Sequence, residues 1–527
     1  MTADERGLWA AVLAAPDDDL PRLVYADWLE ENGRGPLAAF IRAQIRLAHA
    51  PPGHSDYADA VEAQSLAVAG VRAASSLPVP ELPEGVRFAG HIRAVEEDGY
   101  GNYSRGFPGE VAIDGRRGPR PGGHLLGRIL ERTTVNWARF EDLPPATVEA
   151  LLEPTAGRLR GLSVGIPAGS DWDQDAAERV FAAAAVTALN RLAVSRLNSP
   201  GVAALIAARF TRLTQFAVYE PLWQEWQALS RAEWLGGLTH ADLSANGGLA
   251  GTMLPALGRG LTSLAVRSDG SAGRDSELDL VAARLPGLRQ LTLQGLGMNT
   301  QVGRALARWP LPPLAAVRVK GNYSSADGFA AFVEAPWLAG VTELVVTGDL
   351  RGQTPTLARS PAAASVRLLY LGLRPTGTDD LAGLTAGAFP ALTTLSIGGP
   401  AVGDPAEVTR FAETWAGRLH TLIIKGWQVS PAAAQRLAAN PAFASLRRLK
   451  LRGCKLGDAA AAALVTGPHL QGVAELDFGM NAVGERTAAA LMRPDTLPEL
   501  LLADLTGNRM HPDTRTRLRA ARPGVWA

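Results

Sequence analysis

Arginine and lysine recur at fixed positions in a run of short, similar apolar phrases between residues 261 and 452. Eight phrases, starting from Leu261 to Leu446, supply 32 positions that flank or alternate with the apolar residues, four in each phrase. Ten of these positions are basic and only Glu343 is acidic, although 52 of the 527 residues are basic and 52 are acidic. Aligned cations form charge-assisted hydrogen bonds with carboxylates and phosphates. The pattern predicts an electropositive surface for an acidic partner.

Other arrangements that carry chemistry are absent from the sequence. It has no phosphate-binding Gly-x-x-x-x-Gly-Lys loop, no His-Glu-x-x-His pair and no nucleophile elbow. The acids Asp17, Asp18, Asp19 and Asp27 lack calcium-loop spacing and are interpreted as helix-capping residues. Cys454 has no histidine nearby in register and is interpreted as a buried structural cysteine. We therefore predict no catalytic residues, no cofactor and no metal.

The basic positions belong to a repeated unit that must place them on one surface. A clear copy reads Leu446-x-x-Leu449-x-Leu451-x-x-Cys454-x-Leu456. The apolar residues of such a unit alternate along a strand and face inward, so the intervening residues face outward. Fifteen units start at Val135, Leu159, Leu189, Leu213, Leu238, Leu261, Leu288, Leu314, Val341, Val366, Leu392, Leu419, Leu446, Val473 and Leu500.

A second apolar position predicts a return helix in each unit. Six large residues lie 18 positions after the start of their own unit, namely Leu306, Phe332, Leu384, Leu437, Leu464 and Leu491. Helix starts are indicated by Ser430-Pro431, Gly457-Asp458 and Pro405, because proline is favoured in the first helical turn. Asparagine at the end of a strand satisfies backbone groups of the turn, and the candidates are Asn246, Asn322, Asn481 and Asn508, with Cys454 as a substitute.

These units resemble leucine-rich repeats, and their length of about 27 residues resembles the ribonuclease-inhibitor class. The resemblance covers roughly 70 per cent of the chain. It implies an α/β solenoid shaped like a horseshoe, with a parallel sheet inside and helices outside. The outward strand positions would then line the concave face, and stacked neighbours would bury the core that no single unit can bury.

The first 75 residues are predicted to form four short helices. The segment Asp17 to Gly33, followed by Phe40-Ile-Arg-Ala-Gln44, resembles the repeat-companion domain of planctomycete-type bacteria, although Ala39 stands where that family often has an acid. Arg105-Gly106-Phe107 is similar to the segment by which such proteins enter their first repeat. The resemblance implies no mechanism.

We predict three regions. Residues 1–75 form the all-α repeat-companion domain, and residues 76–130 form a linker with an atypical cap of the solenoid, in which Val111 to Ile113 adds a strand. Residues 131–527 form about 15 repeats closed by a C-terminal capping helix around Asp513 to Arg519. An acidic N-terminus and the lack of a long apolar run favour a cytoplasmic bacterial protein without membrane association.

The sequence thus predicts a non-enzymatic scaffold that binds an acidic protein partner on the concave face. The candidate binding residues are Arg267, Arg289, Arg318, Lys320, Arg367, Tyr370, Lys425, Arg447, Arg448, Lys450 and Arg452. The alternative is an acidic polymer, nucleic acid or anionic glycan. It is less favoured because single-stranded nucleic acid needs stacking aromatics and only Tyr370 is suitably placed. A solvated sheet face with basic residues that discourage aggregation explains the same excess. A monomer is expected.

Overall fold

A computed structural model gives the fold of the chain. It describes residues 2–51, 54–74, 86–88, 103–104, 107–108, 110–114, 124–155, 158–165, 173–186, 189–196, 199–219, 227–245, 253–268, 284–295, 297–322, 325–348, 352–372, 381, 383–385, 387–399 and 405–526.

The chain divides into two compact units, and each contains part of the N-terminal segment. Unit 1 comprises residues 1–49 and 77–296, and unit 2 comprises residues 50–76 and 297–527. The predicted boundary after residue 75 stays a prediction. Among the described residues, no helix is long and apolar enough to cross a membrane.

Four helices precede the repeats, as the sequence predicts. They are α1 (Ala3–Ala14), α2 (Leu20–Glu31), α3 (Gly35–His49) and α4 (Tyr57–Ala74). In unit 1, the buried residues Val12, Tyr25, Leu29, Phe40 and Ile41 hold α1, α2 and α3 together. Helix α4 belongs to unit 2.

The strands begin where the leucine spacing predicts. In unit 1 they are β1 (Val86–Phe88), β2 (Tyr103–Ser104), β3 (Phe107–Pro108), β4 (Glu110–Asp114), β5 (Trp137–Glu141), β6 (Gly161–Gly165), β7 (Arg191–Ser195), β8 (Gln215–Tyr219), β9 (His240–Ala245), β10 (Ser263–Ser268) and β11 (Gln290–Gln294). In unit 2 they are β12 (Ala316–Asn322), β13 (Glu343–Gly348), β14 (Leu368–Gly372), β15 (Thr394–Gly398), β16 (Thr421–Lys425), β17 (Arg448–Lys450), β18 (Glu475–Asp477), β19 (Leu502–Asp504) and β20 (Val525–Trp526). Each of the fifteen repeat strands starts two residues after its predicted unit start, so the predicted register is confirmed.

Within each unit, consecutive repeat strands pair in parallel. In unit 1, β4 to β11 are parallel neighbours and β1 pairs antiparallel with β4. In unit 2, β12 to β20 follow one another in parallel. Strand β4 is the predicted atypical strand at the entrance to the repeats. A repeat unit made of one strand and one return segment, stacked in parallel on its neighbours, is the architecture of a leucine-rich-repeat solenoid. The fold class is therefore α/β with an N-terminal all-α segment.

Return segments connect the strands. The α-helices are α5 (Leu125–Arg132), α6 (Pro145–Leu152), α7 (Gln174–Val186), α8 (Ser199–Ala207), α9 (Thr300–Arg308), α10 (Ala326–Val333), α11 (Thr354–Leu357), α12 (Pro405–Thr414), α13 (Pro431–Ala439), α14 (Asp458–Val465), α15 (Glu485–Leu491) and α16 (Pro512–Ala521). Short 3₁₀ segments span Glu153–Thr155, Glu233–Gly237, Leu254–Ala256, Pro336–Leu338 and Pro441–Phe443. The unit starting at Leu238 has 23 residues, the fewest of all. In the described part of its return, residues 253–260, the chain forms the 3₁₀ segment Leu254–Ala256.

The core has the two sides that the spacing predicts. All six residues at the second apolar mark are buried, including Leu306 and Leu491. Strand residues such as Leu449 and Leu476 are buried opposite them. Helices α12, α13 and α14 begin at Pro405, Pro431 and Asp458, as predicted. The predicted capping helix is α16, whose Leu518 is fully buried.

Asparagines join neighbouring units at the turns after the strands. The amide of Asn481 donates to the carbonyls of Leu451 at 2.7 Å and Phe478 at 3.0 Å. The amide of Asn508 donates to Phe478 at 2.9 Å, and its oxygen accepts from Asn481 N at 3.1 Å. Buried Cys454 donates to the Ile424 carbonyl at 3.1 Å, as its substitute role predicts. Asn246, the side chain of Asn322, and Arg105 and Gly106 lie outside the described residues.

Candidate binding surface on the front faces of the two units

Alternation along the strands gives each unit a sheet face opposite the repeat helices, here called its front face. This is the face that the sequence predicts to be concave. In unit 2, the first row of front-face positions on β13 to β19 holds Glu343, Leu368, Thr394, Thr421, Arg448, Glu475 and Leu502. All seven are buried. A sheet face whose outward residues are buried must be covered by another part of the chain.

Helix α4 covers this row. The Tyr57 hydroxyl donates to Glu343 Oε2 at 2.5 Å. Arg367 Nη2 and Asp59 Oδ1 are 2.6 Å apart. His420 Nδ1 and Glu62 Oε2 are 2.8 Å apart. These partners are separated by about 300 residues in sequence, and all of them belong to unit 2.

The direction of α4 follows from the order of its contacts. Tyr57 contacts Glu343, the first residue of β13. Asp59 contacts Arg367, the residue before β14, and Glu62 contacts His420, the residue before β16. The helix also contacts β19. An α-helix of this length extends about 26 Å at 1.5 Å per residue, and six strand steps of about 4.8 Å cover roughly 29 Å. The helix therefore runs across the strands, along the direction in which the repeats stack.

Apolar groups on both sides close this contact. The buried side of α4 has helical spacing and includes Tyr57, Ala60, Gln64, Val68 and Val71. The front face of unit 2 offers buried apolar residues at outward positions, namely Val345, Leu368, Ile423 and Leu502. Burial of such surface contributes roughly 25 cal/mol per Å². The interface therefore combines buried apolar residues with three polar contacts, of which Arg367–Asp59 is an ion pair.

Ion pairs lie within the covered area. Glu475 is 3% exposed, and its carboxylate is 2.6 Å from Arg448 Nε and 2.8 Å from Lys450 Nζ. Burial alone would raise the pKa of Glu475, but Arg448 and Lys450 outweigh it and hold the pKa at about 2. The glutamate therefore stays ionised beside two buried cations, which are compensated within the chain.

The other predicted cations of unit 2 differ in exposure. Arg318 Nε is 2.7 Å from Glu343 Oε1, and Arg452 Nη1 is 3.1 Å from Asp504 Oδ2. Lys320 and Lys425 are half-buried, and Arg447 is exposed, with one nitrogen 3.0 Å from the Gly472 carbonyl. The acidic residues of the last repeats thus form ion pairs with the basic residues of the preceding repeats; they are Glu475, Asp477 and Asp504.

Tyr370 occupies the second front-face row and is half-buried. Burial raises its pKa to about 12, with a smaller contribution from Glu343. A half-buried tyrosine next to charged side chains is poorly placed to stack on a nucleotide base.

Unit 1 contains two of the predicted cations, and its front face is different. Arg267 Nε and Nη2 are 2.8 and 2.9 Å from the two oxygens of Asp242, which also accepts from the Tyr219 hydroxyl at 3.0 Å. Arg289 is exposed. The front-face row beside Arg267 is small or polar, with Ser163, Ala193, Ala217, Asp242, Ala265 and Thr292. Of these six residues, Ala193 alone is buried.

The sequence predicts helix α4 and the outward cations but not the contact between them. A signal was present, because Val345, Leu368, Ile423 and Leu502 place branched apolar residues at outward positions of unit 2. Lys450 does not lie on a solvated sheet face, because it is 2% exposed and its Nζ is 2.8 Å from the Glu475 carboxylate.

The aspartates after α1 contact three different partners in unit 1. Asp17 is 3.2 Å from Arg160, Asp18 accepts from the Leu20 N–H at 3.0 Å, and Asp19 is 2.6 Å from His49. Asp18 thus has the predicted capping role. Across the described ranges, no group of three or more metal-ligating side chains is placed to hold an ion.

Comparisons with known proteins give only structural likenesses. No protein-family model and no curated protein matches the chain. The leucine-rich-repeat protein LegL7 from Legionella pneumophila is 16% identical, with a TM-score of 0.35, over 56% of this chain and 94% of that chain. An internalin, InlF, from Listeria monocytogenes is 12% identical, with a TM-score of 0.36, over 72% of this chain and 93% of that chain.

A third likeness is to a chain from the Rad7 and Elc1 complex of yeast, 14% identical with a TM-score of 0.33 over 77% and 83% of the two chains. Scores this low add nothing to the assignment. The fold rests on the strand register and the asparagine contacts of this chain.

Proposed function

We propose that the protein is a non-enzymatic scaffold that binds an acidic surface of another protein on its front faces. The observation that carries the proposal is the occupation of the unit 2 front face by an acidic helix. Asp59 and Glu62 of α4 bind Arg367 and His420, and the helix lies outside the repeats in sequence. A face that holds a helix by carboxylate contacts has the chemistry to hold an acidic helical surface.

The accessible cations would make the first contact with a partner. Arg289 and Arg447 are exposed and Lys425 is half-buried, so their charges act on an approaching surface through solvent. Such charges mainly increase the association rate and are screened by salt. Lys450 and Arg448 are buried with Glu475, so their contribution would require that α4 leave the face.

An acidic polymer remains the second candidate. The row of cations favours it, but a polyanion binds through counterion release by cations that are not already neutralised. Arg318, Arg367, Arg448, Lys450 and Arg452 each have a carboxylate partner within the chain. The paired state of these cations therefore favours a protein partner over nucleic acid or an anionic glycan.

The test compares equal charge losses on two surfaces. A front-face triple variant, Arg289→Ser, Lys425→Ser and Arg447→Ser, is set beside a helix-side control, Arg304→Ser, Arg308→Ser and Arg486→Ser, whose residues are all exposed. Proteins captured from native lysate are quantified at two salt concentrations. We expect the front-face variant alone to lose partners, with a smaller difference at high salt. Equal capture by both variants contradicts the proposal.

Polyanion probes separate the two candidates. Heparin and single-stranded DNA are titrated against the wild type over a salt series. A steep dependence of affinity on salt, removed by the front-face substitutions, favours the polymer. Weak binding that neither substitution set changes favours the protein partner.

We further propose that the N-terminal helices are a repeat-companion domain, that the repeats belong to the ribonuclease-inhibitor class, and that the protein acts as a monomer in a bacterial cytoplasm. The residues of the N-terminal resemblance and the 27-residue spacing support these assignments. Limited proteolysis tests the boundary near residue 75. Release of a stable fragment of residues 1–75 supports it, whereas cleavage between α3 and α4 contradicts it.

A further inference from the structure

Helix α4 fills the front face of unit 2 in the manner of a bound ligand. It reaches that face from outside the repeats and contributes Tyr57, Asp59 and Glu62 to partners on three different repeat units. These contacts are ordered along the helix, so a helix presenting the same groups at the same spacing would reproduce them.

The contact is less tightly constructed than the repeat core. Four of the buried residues of α4 are alanines, Ala58, Ala60, Ala67 and Ala69, which bury less apolar area than the leucines of the strands. Gln64 is 2% exposed, and its Oε1 has no hydrogen-bond partner among the described residues. A buried polar atom without a partner lowers the stability of a contact.

The face beneath α4 also retains charge. Arg448, Lys450 and Glu475 are buried there, and buried ion pairs stabilise less than apolar packing of equal volume. A permanent core would not require these groups. They suit a surface that is at times exposed to solvent, where ionised side chains are well hydrated.

We propose that α4 is a displaceable internal occupant, and that the partner of unit 2 is an acidic amphipathic helix with the same pattern of groups. This inference rests on the proposed function and specifies its partner. The pattern is a hydroxyl-bearing aromatic residue, a carboxylate two residues later and a second carboxylate three residues after that, on a helix with a small apolar face. The tyrosine contacts Glu343, and the carboxylates contact Arg367 and His420.

Tethering determines how α4 and a partner compete. A segment linked to its own site acts at an effective concentration of roughly millimolar. A partner helix must therefore bind more tightly than α4, and weakening α4 within the chain must strengthen binding of an external helix. The change is measurable without knowledge of the natural partner.

The probe is a fluorescent peptide of residues 54–76, titrated by anisotropy against the full chain. The wild-type chain is compared with the variant Asp59→Asn, Glu62→Gln, in which the internal helix has lost its two carboxylates. We expect at least tenfold tighter peptide binding to the variant. A scrambled peptide of identical composition is the control and should bind neither protein. Equal or undetectable peptide binding to both chains overturns the inference.

A charge exchange tests whether the peptide occupies the α4 site. A peptide with Asp59→Arg should bind best to a chain that carries Arg367→Asp together with Asp59→Asn and Glu62→Gln. The unaltered peptide should bind that chain more weakly than it binds the double variant. If the two peptides show no reversal of preference, the peptide binds elsewhere and the inference fails.

Hydrogen exchange of the wild type gives a readout that needs no substitution. We expect the amides of α4 to exchange through a local opening, faster than those of β14 to β16. Exchange of α4 only together with these strands makes it a fixed part of the core and overturns the inference. Failure of the proposed function looks different, since the front-face variant would keep its partners while α4 still opens and the peptide still binds.

Discussion

The front faces of the two units are built on the same repeat but are used differently. In unit 2, outward residues such as Leu368, Ile423 and Lys450 are buried on the face that α4 occupies. In unit 1, the outward residues Ala265 of β10 and Thr292 of β11 are small or polar and half-buried. The inward residues are the same kind in both units. The repeat therefore specifies the core, whereas the outward positions specify what the front face contacts.

Two ion-pair clusters, one from each unit, show a similar contrast. The Glu475 cluster of unit 2 is buried, so each charge depends on its partners. The Asp242–Arg267 pair of unit 1 has similar distances, but the Arg267 side chain is 42% exposed. The two pairs thus have similar distances but stabilise the fold by different amounts. Water can hydrate the exposed Arg267 if its partner is lost, whereas it does not reach the buried Glu475 cluster.

The largest expected effect comes from removing the buried carboxylate. Glu475→Gln removes the buried carboxylate that contacts both Arg448 and Lys450, and we expect a loss of about 3–5 kcal/mol in the free energy of unfolding of unit 2. The matched change Asp242→Asn in unit 1 should cost about 0–1 kcal/mol. Denaturant titration, with hydrogen exchange to assign the unit, measures both. Equal losses would contradict the inference that burial makes the Glu475 cluster contribute more to stability than the Asp242–Arg267 pair.

Substitutions in the core should lower the free energy of unfolding by similar amounts in the two units. Leu449→Ala in β17 and Leu192→Ala in β7 each remove a fully buried inward side chain. We expect each to cost about 2–5 kcal/mol, through lost burial and a cavity, regardless of the unit. The measurement is the same titration. A large cost in one unit only would mean that the two cores are not equivalent.

Substitutions on the front faces should again affect the stability of unit 2 more than that of unit 1, with a smaller loss than the core substitutions. Ile423→Ser removes an apolar side chain from beneath α4, and we expect a cost of about 1.5–3 kcal/mol with faster amide exchange in α4. Ala265→Ser in unit 1 should change stability by less than about 0.5 kcal/mol, because the position is partly solvated. Unchanged exchange in α4 would place Ile423 outside the helix contact.

The sequence predicts local structure and core well and the covered surface poorly. Leucine spacing placed all fifteen strands, since inward residues repeat with a period that the fold imposes on each unit separately. The contacts Tyr57–Glu343 and Glu62–His420 join residues 286 and 358 positions apart. No local period reports such a pairing. The outward residues Leu368 and Ile423 signal only that something covers them.

The smallest expected effect is a dependence of α4 docking on pH. His420 lies 2.8 Å from Glu62, and this hydrogen bond raises the pKa of His420. Burial lowers the pKa, but by less than the hydrogen bond raises it. The charges of Glu62 and Asp59 raise the pKa further, and Arg447 opposes them. Because the pKa is higher when α4 is docked, the stabilisation is fully present below the ordinary histidine value near 6.5 and is lost as pH rises through the higher docked value.

We therefore expect α4 amides to be better protected at pH 6 than at pH 9, after correction for the intrinsic rate of exchange. His420→Gln should flatten this profile, since the amide keeps a hydrogen bond but does not titrate. His240→Gln is the matched control in unit 1, where burial lowers the pKa of His240. Protection of α4 that rises with pH, or that His420→Gln leaves unchanged, would remove His420 from the docking contact. In that case Arg367 and the apolar residues would be left to hold the helix.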